Sequence, residues 1–292
     1  MGSFDGVSAT IGNLANIEIR NGSVRGWGGE GVDIGSTGAL NCTVRDVRTI
    51  GNSVNGIFVG HNSTIIDCAA SSNGRTGIVA GTGSIISRCS AQDNTLDGIS
   101  VSNLGTISEC TAFGNDANGI SGGGGSTISQ CTVATNILQG ISAGSGCTVS
   151  RCTAYINSGA GIAATNGCTI SGCTVQANLS DGILVSNQCL VMDNTCATNG
   201  NGGDGAGIHA TGSDNRIEGN NCTGADRGID VDAAGNIIIK NTCSGNTLNW
   251  TIVANNVVGP ILNRTAPASA AISGDSAPDS TGSTHPNANF TY

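Results

Sequence analysis

Aromatic side chains are nearly missing from this chain: two tryptophans, two tyrosines and four phenylalanines supply 3% of its 292 residues. Charged residues are scarce too, at 11%. A thick core built on large rings is therefore excluded. Disorder is equally excluded, because 38% of the residues are hydrophobic and they are well spread. Lysine occurs once, as Lys240, and the net charge is −9. Without a positive stripe the chain has no means of holding nucleic acid. An acidic glycan would also be repelled unless a cation bridged it. Proline is absent before Pro260. No run approaches the roughly eighteen apolar residues that a membrane span needs. The opening MGSFDG lacks the charged start and apolar stretch of an export signal. We read the first coil as truncated, with any leader cut away.

Glycine is abundant, at 47 positions, and it is periodic. A Gly followed by Ile, once by Val, recurs at Gly31, Gly56, Gly77, Gly98, Gly119, Gly140, Gly161, Gly182, Gly207 and Gly228. From Gly56 to Gly182 every step is 21 residues, and the steps into Gly56 and Gly207 are 25. Within a unit the apolar positions alternate, as in NGISGGGGSTISQCTVATN, where Ile120 points one way and Ser121 the other. Period 2 in short pieces broken by Gly, Ser and Asn means strand, not helix. A unit this small cannot bury its own face, so it must stack on its neighbours. The expected fold is all-β: a solenoid of about ten coils in parallel register, rising ~4.8 Å per coil.

Two columns support the register. Asn73, Asn94, Asn115, Asn136, Asn157, Asn178 and Asn199 recur at one place in seven units. Asparagine there suits a left-handed turn, and stacked amides can hydrogen-bond from coil to coil. Cys68, Cys89, Cys110, Cys131, Cys152 and Cys173 recur twelve residues after each Gly, and Asn194, Asn220 and Asn241 take that place later. Cys147, Cys168 and Cys189 form a shorter column. Stacked cysteines with parallel Cβ vectors make strained bridges. We expect buried free thiols, with neither a disulfide nor a metal at the Cys147/Cys152 pair.

These Gly-Ile repeats with an Asn ladder resemble the right-handed parallel β-helix, or pectin-lyase-like, superfamily over roughly residues 16–258. The resemblance implies a single-stranded right-handed β-helix over 1–258. It also implies a carbohydrate-related role, outside the cell or on its surface. Its members include lyases, hydrolases, epimerases and tailspikes. Two signatures of its enzymes are missing: no two aspartates are consecutive, and the coils hold no proline. Residues 259–292 show no repeat, and this tail is expected to pack back on the helix through Phe290. An uncapped first coil, with Arg20, Arg25, Trp27, Glu30, Asp33, Arg45 and Arg48, suggests self-association or end capping.

Most charges are explained by stacking. Asp67, Arg88, Glu109, Gln130 and Arg151 form one column of mostly alternating sign, and Thr111, Thr132, Thr153, Thr174 and Thr195 form a β-surface column. What remains clusters late. The insertion NGNGGDGAG carries Asp204, His209 follows Gly207 by two, and Asp230 takes the same place one coil on. Asp232 shares the outward face of Asp230, ~6.6 Å along the strand. Asp181, Asp214, Asp226 and Arg227 are candidate neighbours. Three functional readings fit. In a hydrolase, Asp230 and Asp232 would be acid and base near the spacing of an inverting enzyme. In a lyase, Arg227 or His209 would take the proton while Ca²⁺, on Asp204, Asp226, Asp230 and Asp232, neutralises the substrate. In a binding protein, the same groups would hold a cation or the hydroxyls of a polysaccharide. A fourth reading is structural: GIDVDAAG is a solvated strand and turn, with His209 paired to Asp230. A non-catalytic binding or scaffold protein is the leading expectation, and a polysaccharide lyase or glycoside hydrolase is the alternative.

Overall fold

The computed structural model describes residues 4–9, 14–35, 38–200, 203–263 and 285–292. Each regular coil holds three strands of three residues, for example Ile120–Gly122, Thr127–Ser129 and Thr132–Ala134. The first strand of every coil joins a 12-stranded parallel sheet. The other two build a 23-stranded sheet that folds into two walls. Like residues stack in register: Ile99, Ile120 and Ile141 pair along one wall, Ile107, Ile128 and Val149 along the next. Ile120, Ile128 and Val133 are fully buried and fill the narrow core.

The first sheet has more coils than the ten expected from the marker. Its end strands are Val7–Ser8 and Leu248–Ile252. Val7 pairs with Val32, so Gly6-Val7 is a further Gly-Val marker, while Trp250 stands where Ile229 stands in the coil before. The Trp250 end has simply lost the marker.

Three tight corners close each coil, and each is made by a single left-handed residue. In the coil of Ile120 these are Gly125 (φ 70°), Gln130 (φ 55°) and Thr135 (φ 53°). The charged column is therefore a corner: Asp67, Arg88, Glu109, Gln130 and Arg151 all have φ between 51° and 55°. Of its pairs, Arg88 and Asp67 make a two-pronged contact at 2.8 and 2.9 Å, the one ion pair of that column among the described residues. The threonine column stacks as expected.

The asparagine ladder is present, but the asparagines do not supply the left-handed backbone. The preceding residue does, as at Thr135 before Asn136. Asn136 instead points inward and is fully buried. Its Oδ1 accepts the Asn115 backbone N–H at 3.1 Å and the Asn115 side-chain amide at 2.9 Å. Its own Nδ2 donates to the Ala112 carbonyl at 3.2 Å and to Asn157 Oδ1 at 2.9 Å. The same amide explains the glycine marker. A Cβ on Gly119 would lie 2.6 Å from Asn136 Nδ2 and 2.7 Å from the Gly140 carbonyl oxygen. Glycine and asparagine are thus two halves of one contact.

All thirteen cysteines are free and buried. Their thiols donate to nearby carbonyls, as Cys110 Sγ does to Ser108 at 3.2 Å. At Asn194 the amide replaces the thiol and accepts the Cys173 N–H at 2.9 Å. Asn220 and Asn241 continue that run, and its next rung is Asn289, which accepts the Asn241 N–H at 2.8 Å. The strand Asn289–Thr291 lies between Thr242–Ser244 and Ile261–Asn263. Asn289 and Thr291 are buried there, while Phe290 is only half-buried. The rest of the expected tail, residues 264–284, lies outside the described residues.

Candidate functional site

The strand after the late insertion, Ala206–Ala210, has five residues, as does the next, Arg227–Val231. They run in register, with His209 opposite Asp230 and Ala206 opposite Arg227. Both outward residues belong to a column on the 12-stranded sheet that reads Ser100, Ser121, Ser142, Ala163 and Leu184 in the preceding coils and Thr251 in the following one. Alternation alone decides that these side chains face away from the core.

The imidazole of His209 is the hub. Its Nδ1 lies 3.2 Å from Asp181 Oδ2, and its Nε2 lies 2.9 Å from Asp232 Oδ2 and 3.9 Å from Asp230 Oδ2. Asp181 is buried at the entry to the coil before, where its Oδ1 accepts the Ala206 N–H at 2.8 Å. Asp230 is 1% exposed, although it points outward, because Arg227 folds over it with Nη1 2.6 Å from Oδ2. The other carboxylate oxygen of Asp230 is buried with no hydrogen-bond partner. Arg227 also pairs with the exposed Asp204 through Nη2. Asp232, just past the strand end, is about half exposed.

The carboxylates set the protonation of the hub. The hydrogen bond His209 donates to Asp181 is the largest cause; burial comes next and opposes it, but the hydrogen bond donated to Asp232 and the charges of Asp181 and Asp230 outweigh burial and raise His209 to about 9. His209 is thus an imidazolium near neutrality, donating from both nitrogens. A folded value above the unfolded one of 6.5 gives a definite sign. The stabilisation is complete below that unfolded value and is lost as pH rises through about 9. Thermal midpoints of the wild type should therefore fall more between pH 6.5 and 10 than those of His209→Gln, roughly the span set by the two His values. Parallel curves for the two proteins would contradict the assignment.

Of the residues expected from sequence, the structure gathers His209, Asp230, Asp232 and Arg227, together with the candidate neighbour Asp181, which is a principal partner of the imidazole. It does not gather the four aspartates suggested for Ca²⁺. Among the described residues, the group whose ligand atoms lie within 4.8 Å of one another is His209, Asp230 and Asp232. Asp204 is spent on Arg227, and Asp226 accepts the Gly203 N–H at 3.0 Å. Asp214 sits at a left-handed corner, φ 61°. The inverting-hydrolase spacing also fails. The two carboxylates approach within 4.8 Å and share one imidazole nitrogen, closer than the ~6.5–9.5 Å that leaves room for an attacking water. Asp181 was within reach of sequence reasoning, since it precedes a marker glycine just as Arg227 does. What hid its role is that its side chain crosses to the next coil.

A hollow of about 460 Å³ lies on another wall, lined by Asp46, Arg48, Asp67, Arg88 and Glu109. Apart from Arg48, its charges belong to the corner column, and its Arg88–Asp67 pair is satisfied, so shape and chemistry point to different places. We place the candidate site at the chemistry.

A family model described as a right handed beta helix region matches residues 5–137 and 158–259. No curated protein matches the sequence. Among solved structures, the tailspike protein of E. coli bacteriophage HK620, in a mutant bound to a pentasaccharide, is 12% identical with a TM-score of 0.65, over 88% of this chain and 62% of that one. The Agl-KA catalytic domain is 12% identical with a TM-score of 0.61, over 84% of this chain and 57% of that one. The A-module of the mannuronan C-5 epimerase AlgE4 from Azotobacter vinelandii is 17% identical with a TM-score of 0.56, over 83% and 73%. This chain spans less than two thirds of the first two, and at these identities the likeness is one of fold.

Proposed function

Since the chain belongs to the right-handed β-helix family, we propose that it is a carbohydrate-binding protein that meets its ligand at the late coils of the 12-stranded sheet, around His209, Arg227, Asp230 and Asp232. One observation carries this reading. The fold does not need these charges, because the same column is built from Ser100, Ser121, Ser142 and Ala163 in earlier coils. Burying ionised groups where serine suffices costs several kcal/mol per ion by order of magnitude, unless they are paired. The pairing seen here leaves a donor and an acceptor at the surface: the half-exposed Asp232 accepts, and the guanidinium N–H groups of Arg227 that Asp204 and Asp230 do not take donate. That set suits sugar hydroxyls. A net charge of −9 favours neutral glycans over acidic ones. The pentasaccharide bound by the HK620 tailspike supports a glycan ligand on this fold. Such a ligand places the protein outside the cell or on its surface. Thirteen unbridged cysteines are unusual there, but their burial keeps oxidants and partner thiols away.

The Asp181–His209 contact favours a second reading. A buried carboxylate that orients an imidazolium next to an exposed carboxylate is an acid–base pair, as a polysaccharide lyase or glycoside hydrolase would use. One experiment addresses both. Neutral and acidic polysaccharides are screened for binding and for chain cleavage with the wild type, Asp232→Ala and His209→Gln. The binding reading expects retention of a neutral glycan by the wild type and its loss in Asp232→Ala, without cleavage. Cleavage by the wild type that His209→Gln abolishes would establish the enzyme instead. Retention unchanged in Asp232→Ala, or no retention of any glycan, would sink the proposed site.

A further inference from the structure

The hub has the donor set and the support of a metal centre. His209 Nε2, one Asp230 oxygen and one Asp232 oxygen lie within 4.8 Å of one another, with Nε2 at 2.9 Å from Asp232 and 3.9 Å from Asp230. An ion with bonds of ~2.0–2.2 Å separates adjacent tetrahedral ligand atoms by about 3.3 Å, so these contacts bracket the required spacing. The imidazole is also oriented as a ligand. Asp181, 5% exposed and fixed by the Ala206 N–H, holds Nδ1, which keeps the proton on that nitrogen when Nε2 is free to coordinate. The Asp230 oxygen at 3.9 Å is Oδ2, which Arg227 also holds; its other oxygen, Oδ1, is buried and no protein group satisfies it. Charge points the same way. Binding releases the Nε2 proton of the imidazolium to solvent, after which Asp181, Asp204, Asp230 and Asp232 face the single cation Arg227; a divalent ion replaces the lost charge and removes most of the excess.

We infer that His209, Asp230 and Asp232 form a binding site for a first-row divalent transition ion of the zinc class, with Asp181 as the positioning residue for the imidazole. One nitrogen and two carboxylates suit zinc, manganese, cobalt or nickel, whereas calcium takes oxygens alone. The half-exposed side of Asp232 leaves a fourth position open to water or a ligand. This inference shares residues with the glycan patch but does not rest on it, and each can fail alone.

The test is calorimetric titration of chelator-treated, dialysed full-length protein with Zn²⁺ in the absence of glycan, and in parallel with Ca²⁺. One Zn²⁺ per chain is expected, with no saturable Ca²⁺ uptake. His209→Gln and Asp232→Asn should each weaken Zn²⁺ by at least about tenfold. Asp232 is exposed, so its variant keeps the fold and protects the test from a folding defect in the other. Bound Co²⁺ should give a visible spectrum without a sulfur-to-cobalt charge-transfer band, which separates this site from the cysteines. No saturable Zn²⁺ uptake, affinity undiminished in either variant, or a sulfur charge-transfer band would each overturn the inference.

Discussion

Arg227→Ala should destabilise the protein by about 3 kcal/mol, the lower part of the range for breaking a buried ion pair. The reason lies in Asp230, which is 1% exposed and has Arg227 Nη1 as its 2.6 Å partner. Truncating the arginine leaves the carboxylate buried with the imidazole of His209 at 3.9 Å as its remaining cation. That residual attraction keeps the loss from reaching the top of the range. The next coil shows how the fold manages without the pair: Leu248 stands opposite Arg227, and Thr251 opposite Asp230. The double variant Arg227→Leu/Asp230→Thr should therefore recover to within about 1 kcal/mol of the wild type. Denaturant unfolding of the three proteins measures this directly. If the single variant is no worse than the double one, Asp230 does not depend on Arg227.

The second large effect belongs to the middle of the solenoid. Asn136→Ala removes one side chain and four hydrogen bonds at once: it strands the Asn115 N–H and takes a partner from the Asn115 amide, the Ala112 carbonyl and the Asn157 oxygen, although the amide keeps the Ala91 and Phe113 carbonyls and the oxygen keeps the residue 136 backbone N–H. All sit in a place closed to solvent, where Asn115 and Asn136 are fully buried and Asn157 is 1% exposed. At ~1–3 kcal/mol for the stranded N–H and about 1 kcal/mol for each other hydrogen bond lost, the expected loss is about 4 kcal/mol. Cys131→Ala in the same coil should cost about 1 kcal/mol, because a thiol that behaves as a small hydrophobe gives up mostly its packing. A smaller loss for Asn136 than for Cys131 would mean that the ladder is decoration on a core-driven fold. Because coils unfold as neighbours in a one-dimensional array, the two variants are best compared by hydrogen exchange at coils flanking residue 136.

The coil register was legible in the chain because it is written in local repetition. A Gly-Ile marker every 21 residues, an asparagine at constant offset and strict alternation each describe one coil, and stacking identical coils has one register that keeps the isoleucine of every Gly-Ile marker inside. The same logic puts Asp230 beside His209, as the strand register does. It went astray where repetition ends or where the backbone turns. Gly6-Val7 does not stand out as a marker because the units nearest it are irregular, and the end coil at Trp250 carries no marker at all. At the ladder corner the left-handed residue precedes the asparagine, a distinction that composition cannot make because Thr135, Ile156 and Ala177 are poor left-handed residues by themselves.

The candidate site divides along the same line. Sequence by itself determined the all-β solenoid, the facing of His209, Asp230 and Asp232 to one outward surface, and the identity of the charged inventory. Tertiary structure alone decided which of these groups share a proton, which carboxylate is sealed under Arg227, that Asp181 reaches across from the previous coil, and that Asp204 and Asp226 turn elsewhere. The physical reason is one of scale. Strand alternation and coil rise determine where each Cα sits and which way its Cβ points. Charge pairing is settled in the last few ångströms of rotatable side chain, where carboxylates from several coils compete for one imidazole and one guanidinium.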